Sequence, residues 1–490
     1  MKDKKSSIFN IFILVLTAII VVASFYVKYT LADTKFETLV FYSISNLDNA
    51  DLSPLYTALK ICIPIIILLS LLIIVCFYDL KRIKINSKID KKIHINKHKW
   101  LYTITCLIIS IVLLIYSVGI PEYLYYMSQK SDFIKNNYIT PSKDKINLNN
   151  NKRNLIIITV ESLEYSLFTK EQNGIWDYEL INELHDILED KDTSTFNNKK
   201  GMYMLHGASY TTGSIITNRS GIPVKIGLDR YGYSKNNFMK NNYTLGDYLK
   251  ENNYNNEIIS GARTSYGGLD YFYKNHGDYK IIDPSTLNDY NYKLKKDDYG
   301  KWGFNDKYIF EIAKDRLEKL SKEEKPFNLE LLTIDTHFVD GYVGNYSETK
   351  YKRQYENAYA TTSKLIKEFI EYVKKQPFYD NTTIVIMGDH LTMQSNFINY
   401  NMFKDRTMYF CIINSVNKND KKDRIFTSLD TYPTIISSIG GIIEEDRLGL
   451  GVNLYSNKKT LAEKYGVKEL DNELKKKSTY YNKNILGRGE

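Results

Sequence analysis

The segment LIIITV at Leu155–Val160 is an unbroken apolar run, rich in β-branched residues, that stops at the carboxylate of Glu161. A run this short and apolar on both faces predicts a strand buried in a parallel sheet. The same pattern recurs at Leu329–Ile334 and Thr383–Gly388, and apolar residues recur at helical spacing over Lys352–Lys375 between them. Strand, helix and strand in this order predict an α/β domain with a mainly parallel sheet flanked by helices.

Each of these predicted strands is followed by side chains that can bind a metal ion. Glu161 follows the first, His337 closes the Asp-Thr-His sequence after the second, and Asp389 and His390 follow the third. A polar residue after a strand is often only the start of a loop. In open parallel sheets, however, ligands bind beyond the carboxyl ends of the strands. Carboxylates and imidazoles together at one edge therefore predict a site for a divalent metal ion.

A segment rich in hydroxyl residues, YTTGSIITNRSGIP at 210–223, is the candidate for a nucleophile. A threonine hydroxyl is a poor nucleophile unless a metal ion or a base lowers its pKa. At the N-terminus of a helix it would also have backbone N–H groups directed at an anion. The alternative is a Thr/Ser-rich helix cap without chemistry.

Three uncharged apolar stretches lie in the first 120 residues, at Ile8–Val27, Ile61–Tyr78 and Leu101–Ile120. A helix of 18 to 20 residues covers about 30 Å of hydrocarbon, so each can span a bilayer. Lysines precede the first stretch, as in a signal peptide, but its length and the lack of a small-residue cleavage site favour an uncleaved span. We therefore expect a membrane module at 1–120, a polar tether at 121–153, a catalytic domain at 154–456 and a C-terminal tail at 457–490.

The net charge of +9 is not evenly distributed along the chain. Residues 1–153 contain 20 Lys and Arg against 10 Asp and Glu, whereas residues 154–490 contain 46 against 47. The larger part therefore has no electrostatic basis for binding nucleic acid. Eight basic residues lie between Asp79 and Lys99, and such loops stay in the cytoplasm. This predicts a multi-pass protein of the cytoplasmic (inner) membrane with everything after Pro121 outside the cytoplasm.

Cysteine usage agrees with this placement. Cys62, Cys76 and Cys106 fall in predicted spans, which leaves Cys411 alone in the outer part. No disulfide framework can form there, so the outer domain must be stabilised by its own core.

Six motifs occur in a fixed order over roughly 155–455. Together they resemble the phosphoglycerol transferase I family, membrane enzymes related to the lipoteichoic acid synthases within the alkaline phosphatase/sulfatase superfamily. The motifs are VESLE (160–164), YTTGSIITNRSGIP (210–223), WGFND (302–306), TIDTHFVDG (333–341), GDH (388–390) and RLGLG (447–451).

The resemblance assigns a role to each matching residue. Glu161, Asp389 and His390 would bind one divalent ion, Mn²⁺ with Mg²⁺ as the alternative. Thr211 would complete the metal shell and attack phosphorus, with Thr212 as the alternative nucleophile. The residues implied in substrate binding are Arg263, Trp302, Asp306 and His337, of which His337 would also act in catalysis.

The resemblance further implies a sulfatase-like domain behind the transmembrane helices, and a function. The protein would move phosphoglycerol from phosphatidylglycerol to an envelope polysaccharide or oligosaccharide through a phosphothreonine intermediate. The alternatives are a phosphoethanolamine transferase and a lipid-head-group phosphodiesterase of the same superfamily. A sulfatase in the strict sense is disfavoured, because its nucleophile is followed by x-Pro-x-Arg and Thr211 is followed by Thr-Gly-Ser-Ile.

Overall fold

The polypeptide divides into two units, one formed by Met1–Phe36 and Asp51–Tyr125, the other by Glu37–Ala50 and Tyr126–Glu490. The computed structural model describes residues 2–30, 36–45, 53–79, 99–148, 152–197, 201–399, 401–417 and 423–488. The predicted basic loop between Asp79 and Lys99 lies almost entirely outside the described residues.

The N-terminal third is helical. Its helices are α1 (Lys2–Thr30), α2 (Phe36–Ile44), α3 (Ser53–Asp79) and α4 (Lys99–Ser117). Two segments are long and apolar enough to cross a membrane, Ile8–Tyr29 and Trp100–Ser117, and α3 contains a shorter apolar stretch, Ala58–Ile74. These segments overlap the three predicted spans, although the second is too short to meet the same length criterion.

The second unit is built on a seven-stranded sheet whose order is β3-β8-β7-β2-β6-β4-β5. Strand β8 is antiparallel to both of its neighbours, and the other neighbouring pairs are parallel. The predicted mainly parallel sheet is therefore confirmed. The strands are β1 (Ile146–Leu148), β2 (Asn154–Val160), β3 (Thr193–Ser194), β4 (Asn255–Ser260), β5 (Lys280–Ile282), β6 (Phe327–Leu332), β7 (Thr382–Gly388), β8 (Phe410–Ile413), β9 (Gly441–Ile443), β10 (Arg447–Leu448) and β11 (Gly451–Val452).

Helices cover both faces of this sheet, because β2, β6 and β7 are buried along their whole length. Large apolar clusters fill the space between the sheet and the helices. The predicted helix over Lys352–Lys375 is α12. The remaining helices are α5 (Ile120–Ser128), α6 (Phe133–Asn137), α7 (Asn182–Glu189), α8 (Thr211–Ser220), α9 (Leu245–Glu251), α10 (Leu269–Asn275), α11 (Asp306–Leu320), α12 (Gln354–Lys374), α13 (Thr431–Ser438), α14 (Leu461–Tyr465) and α15 (Val467–Lys475).

Two predicted connecting segments differ from the structure. The expected tether at 121–153 contains α5, α6 and β1, and β1 pairs antiparallel with β9. The expected tail at 457–490 contains α14 and α15, and Leu470 and Leu474 of α15 are fully buried. These two leucines, one helical turn apart, place an apolar stripe on a helix that is otherwise polar. Residues 126–153 of the expected tether and the expected tail therefore belong to the second unit.

Candidate active site

The register of the central strands brings the predicted metal ligands together. Strands β2 and β7 run parallel with Val160 paired to Gly388, so Glu161 and Asp389 leave the sheet side by side. Strand β6 lies on the other side of β2, with Leu332 opposite Thr159. The Thr336 hydroxyl, just beyond β6, donates a 2.6 Å hydrogen bond to the Glu161 carbonyl oxygen. The three strand ends therefore form one rim, as the sequence predicted.

Glu161, Asp389 and His390 form a compact buried cluster at this rim. Each offers a ligand atom, and these atoms all lie within 4.8 Å of one another. His390 Nε2 is 3.4 Å from Glu161 Oε1 and 3.4 Å from Asp389 Oδ2. His390 Nδ1 faces the Leu391 carbonyl oxygen at 2.9 Å, so the proton of a neutral imidazole sits on Nδ1. Nε2 is then free to donate its lone pair to a metal ion.

Ser162 holds the two carboxylates in place. Its φ of 54° is left-handed, an unusual conformation for a residue with a side chain. Here it lets the Ser162 N–H donate to Asp389 Oδ1 at 2.7 Å and the hydroxyl donate to Glu161 Oε1 at 2.8 Å. The backbone N–H of His390 also donates to Asp389 Oδ1, at 2.7 Å. The carboxylates thus keep their orientation although they repel each other.

The cluster carries negative charge that the protein does not fully neutralise. Burial, reinforced by the charge of Glu161, raises the pKa of Asp389 to about 7. Burial alone would lower the pKa of His390, but the charges of Asp389 and Glu161 raise it. Asp389 Oδ2 is buried and lacks a hydrogen-bond partner among the described residues. An unpaired carboxylate oxygen beside a second carboxylate and an imidazole fits a divalent cation.

Thr211 is the hydroxyl that faces this cluster. Its Oγ1 is 3.3 Å from Glu161 Oε2 and 3.4 Å from His390 Nε2. Thr211 is the first residue of α8, so the unpaired N–H groups of that helix lie beside it. Thr212, by contrast, is 2% exposed and packs against Gly267. The geometry therefore favours Thr211 over Thr212 as the nucleophile.

Helix α8 is anchored so that its first residue stays at the rim. Ser214 donates a 2.5 Å hydrogen bond to the Asp389 carbonyl oxygen. Arg219 is buried and pairs with Glu330 of β6 at 2.9 Å. Removing one partner of such a buried pair costs about 3–5 kcal/mol. These contacts connect the nucleophile segment to the strand ends that carry the cluster.

The remaining predicted site residues have different environments. The rings of His337 and Trp302 are in contact, with their centroids 4.6 Å apart and their planes tilted by 47°. The indole N–H of Trp302 is buried and unpartnered within the described residues. Arg263 is exposed on the loop after β4. Arg263, Trp302 and His337 lie in the segments that follow β4, β5 and β6, respectively.

Asp306 has a structural environment instead of the substrate-binding one expected. It is fully buried, and its Oδ1 accepts hydrogen bonds from the backbone N–H groups of Ile334 and Asp335. Its Oδ2 accepts one from the Thr362 hydroxyl. With both oxygens used inside the protein, Asp306 holds the chain after β6 in place. The motif placed this residue near the site but could not reveal its burial.

Sequence reasoning also missed supporting residues. Ser162 and Ser214 lie inside the quoted motifs, so their positions were visible but their contacts were not. Tyr42 of α2 lies far away in the sequence, and its ring stacks on Tyr266 at 5.3 Å. Nothing in the pattern around Tyr42 indicated a place near the site.

The chain belongs to the sulfatase family, whose profile matches residues 153–442, more than half of its length.

A curated relative with a stated activity is similar to this chain in sequence. Phosphoglycerol transferase I of Citrobacter koseri is 28% identical over 335 residues, which are 64% of this chain and 40% of that protein. The match thus spans about two fifths of the relative's length. The resemblance to phosphoglycerol transferase I predicted from the motifs is confirmed.

Two solved structures share the fold. An alkaline phosphatase superfamily protein from Vibrio parahaemolyticus aligns with a TM-score of 0.51 at 22% identity, covering 68% of this chain and 79% of its own. The integral membrane lipooligosaccharide phosphoethanolamine transferase A of Neisseria meningitidis aligns with a TM-score of 0.50 at 14% identity, covering 87% and 84%.

Proposed function

We propose that this protein is a membrane-anchored phosphoglycerol transferase that takes phosphoglycerol from phosphatidylglycerol and gives it to a cell-envelope glycan. The position of Thr211 carries the proposal, because its hydroxyl is directed at the buried cluster of Glu161, Asp389 and His390. The 28% identity to phosphoglycerol transferase I supports the choice of transferred group.

The cluster residues would hold one divalent ion, Mn²⁺ or Mg²⁺. Bound there, such an ion supplies Lewis-acid polarisation of a phosphoryl oxygen. Glu161 and His390 orient the Thr211 hydroxyl, and Glu161 Oε2 is placed to accept its proton. The N-terminus of α8 adds backbone N–H groups that favour the developing negative charge.

The proposed reaction consists of two successive displacements at phosphorus. Thr211 Oγ1 forms a bond to phosphorus while the bond to the diacylglycerol oxygen breaks, and that oxygen takes up a proton. A glycan hydroxyl then forms a bond to phosphorus, loses its proton and displaces Thr211. His337, whose ring contacts that of Trp302, is the proposed proton donor and acceptor.

The apolar helices would anchor the enzyme in the membrane that contains its lipid donor. Ile8–Tyr29 and Trp100–Ser117, with the apolar part of α3, would anchor the protein in the cytoplasmic membrane. The catalytic domain would lie outside the cytoplasm. Tethering would keep the site beside lipid head groups and so raise their effective concentration.

The proposal is tested with the purified full chain, Mn²⁺ and labelled lipids. We expect diacylglycerol release from phosphatidylglycerol, and loss of at least about 1,000-fold in Thr211→Ala because the attacking group is gone. Thr212→Ala, which removes a hydroxyl one residue away, should keep turnover. If diacylglycerol were released only from phosphatidylethanolamine, the transferred group would be phosphoethanolamine and not phosphoglycerol. Full activity in Thr211→Ala would overturn the assignment of the nucleophile.

A further inference from the structure

Helix α2 is a folded part of the second unit, although in sequence it lies between two apolar helices. Phe41 is 1% exposed and its ring lies 4.8 Å from that of Tyr210 and 5.8 Å from that of Tyr233. The hydroxyls of Thr38 and Ser209 are 3.3 Å apart. The buried Phe41 ring and the polar contact beside it fix the position of this helix, and therefore also the side chains of α2 that face the domain.

Tyr42 is the residue of α2 next to the nucleophile segment. Its ring stacks on Tyr266 at 5.3 Å and meets the edge of Tyr210 at 5.6 Å. Tyr210 is the residue immediately before Thr211 and caps α8. Tyr266 precedes Gly267, which packs on Thr212. Tyr42 therefore rests on both segments that flank the reactive hydroxyl.

The hydroxyl of Tyr42 is available to a ligand. No residue that the structure describes hydrogen-bonds to it, in contrast to the buried hydroxyls of Tyr273, Tyr279 and Tyr355. Burial raises the pKa of Tyr42 well above its usual value, and the charges of Tyr266, Tyr210, Glu161 and Asp389 add to the effect. The group thus lies within electrostatic reach of the carboxylate cluster and stays protonated, as a neutral hydrogen-bond donor.

A phosphodiester at Thr211 would need such a donor. The cluster's carboxylates can only accept hydrogen bonds or bind a cation, and they repel the phosphate oxygens directly. A cation held by the cluster and the α8 N–H groups would offset part of the phosphoryl charge, and a further donor would stabilise the charge that remains. Among the residues packed on the nucleophile segment, Tyr42 brings an unused hydroxyl.

We propose that Tyr42 is a phosphate-binding residue of the site, contributed from outside the sulfatase-like sequence region, and that its hydroxyl donates to a non-bridging phosphate oxygen. The inference rests on the proposed function for the lipid that carries the phosphate, but the phosphate contact itself is independent of which head group is transferred.

The test is calorimetric titration of inorganic phosphate into the purified, Mn²⁺-loaded full chain. Tyr42→Phe keeps the ring stacked on Tyr266 and removes only the hydroxyl. Since a hydrogen bond to a charged group is worth about 1.5–3 kcal/mol, phosphate affinity should fall about tenfold or more. Tyr465→Phe removes a hydroxyl from an exposed tyrosine on α14 and should bind phosphate as the wild type does. Mn²⁺ stoichiometry should be equal in all three proteins.

A second arm measures diacylglycerol release by the same variants. We expect Tyr42→Phe to lower kcat about tenfold or more, with an intact melting temperature. Unchanged phosphate affinity in Tyr42→Phe, or no phosphate binding by the wild type, would overturn the inference. Phosphate binding that depends on Tyr42, in a protein that releases no diacylglycerol from either lipid, would instead reject the proposed function and leave the phosphate contact standing.

Discussion

At the scale of single residues, the proposed chemistry depends on which threonine hydroxyl faces the carboxylate–imidazole cluster. Two adjacent threonines, Thr211 and Thr212, are equivalent in composition, and only the start of α8 separates them. The first faces His390 and Glu161, while the second packs against Gly267. The motif therefore locates the candidate nucleophile to within one residue, and the geometry at the start of α8 favours Thr211.

Asp389 offers a direct test of the metal assignment. Its Oδ1 is held by two backbone N–H groups and its buried Oδ2 has no described hydrogen-bond partner. Asp389→Asn keeps the shape of the side chain but removes its charge. We expect its Mn²⁺ affinity to fall by at least about 100-fold, because residues that only hydrogen-bond to metal ligands already cost about 10–100-fold when they are replaced. Isothermal titration of the metal-free full chain measures this.

The matched control for that experiment is Asp177→Asn, which removes an exposed carboxylate paired with Lys170. It should bind Mn²⁺ with wild-type affinity. Equal affinity in Asp389→Asn and wild type would show that the cluster is not the metal site.

At the scale of secondary structure, the sequence predicted those elements whose pattern is local. Strands β2, β6 and β7 are short, mostly apolar runs, and α12 has a clear helical period, so the sequence predicted all four. Strand β8 was missed because four residues are too few to give a period, and its antiparallel direction depends on its partners. The environment of Asp306 was equally invisible, because burial there comes from α12 and from the chain after β6.

That connection after β6 predicts a pH dependence of stability. Asp335 accepts hydrogen bonds from the Asp306 backbone N–H at 3.1 Å and from the Tyr346 hydroxyl at 2.5 Å. Burial, and then the charge of Asp306, raises the pKa of Asp335 well above its usual value. The folded protein therefore holds a proton that the unfolded chain releases near pH 4. Its contribution to stability is fully present below that pH and is lost as the pH rises through the folded-state pKa.

Asp335→Asn isolates this contribution, because asparagine can accept both hydrogen bonds and does not titrate. We expect the melting temperature of the variant to rise relative to that of the wild type as the pH increases from about 4 to 8. Asp297→Asn, at an exposed position, should follow the wild type throughout. Parallel curves for Asp335→Asn and wild type would contradict the buried-proton interpretation.

At the scale of the whole molecule, charge distribution and hydropathy support a single orientation. The basic excess is confined to residues 1–153, and eight Lys and Arg cluster between Asp79 and Lys99. The only cysteine after residue 106 is Cys411, which is buried. The proposed outer domain therefore offers no exposed thiol of its own, and an introduced cysteine can report which side of the membrane it occupies.

Two single-cysteine substitutions test the orientation in intact cells that express the protein. Lys170→Cys lies in an exposed position of the proposed outer domain and should react with a membrane-impermeant maleimide. Ser87→Cys lies in the basic loop and should react only after the membrane is permeabilised, because basic loops stay in the cytoplasm. The unaltered chain measures the background from Cys62, Cys76, Cys106 and Cys411. Labelling of Ser87→Cys in intact cells would place the predicted basic loop outside the cytoplasm. Because one candidate span, Trp100–Ser117, lies between that loop and the catalytic domain, the catalytic domain would then lie in the cytoplasm, away from any envelope glycan.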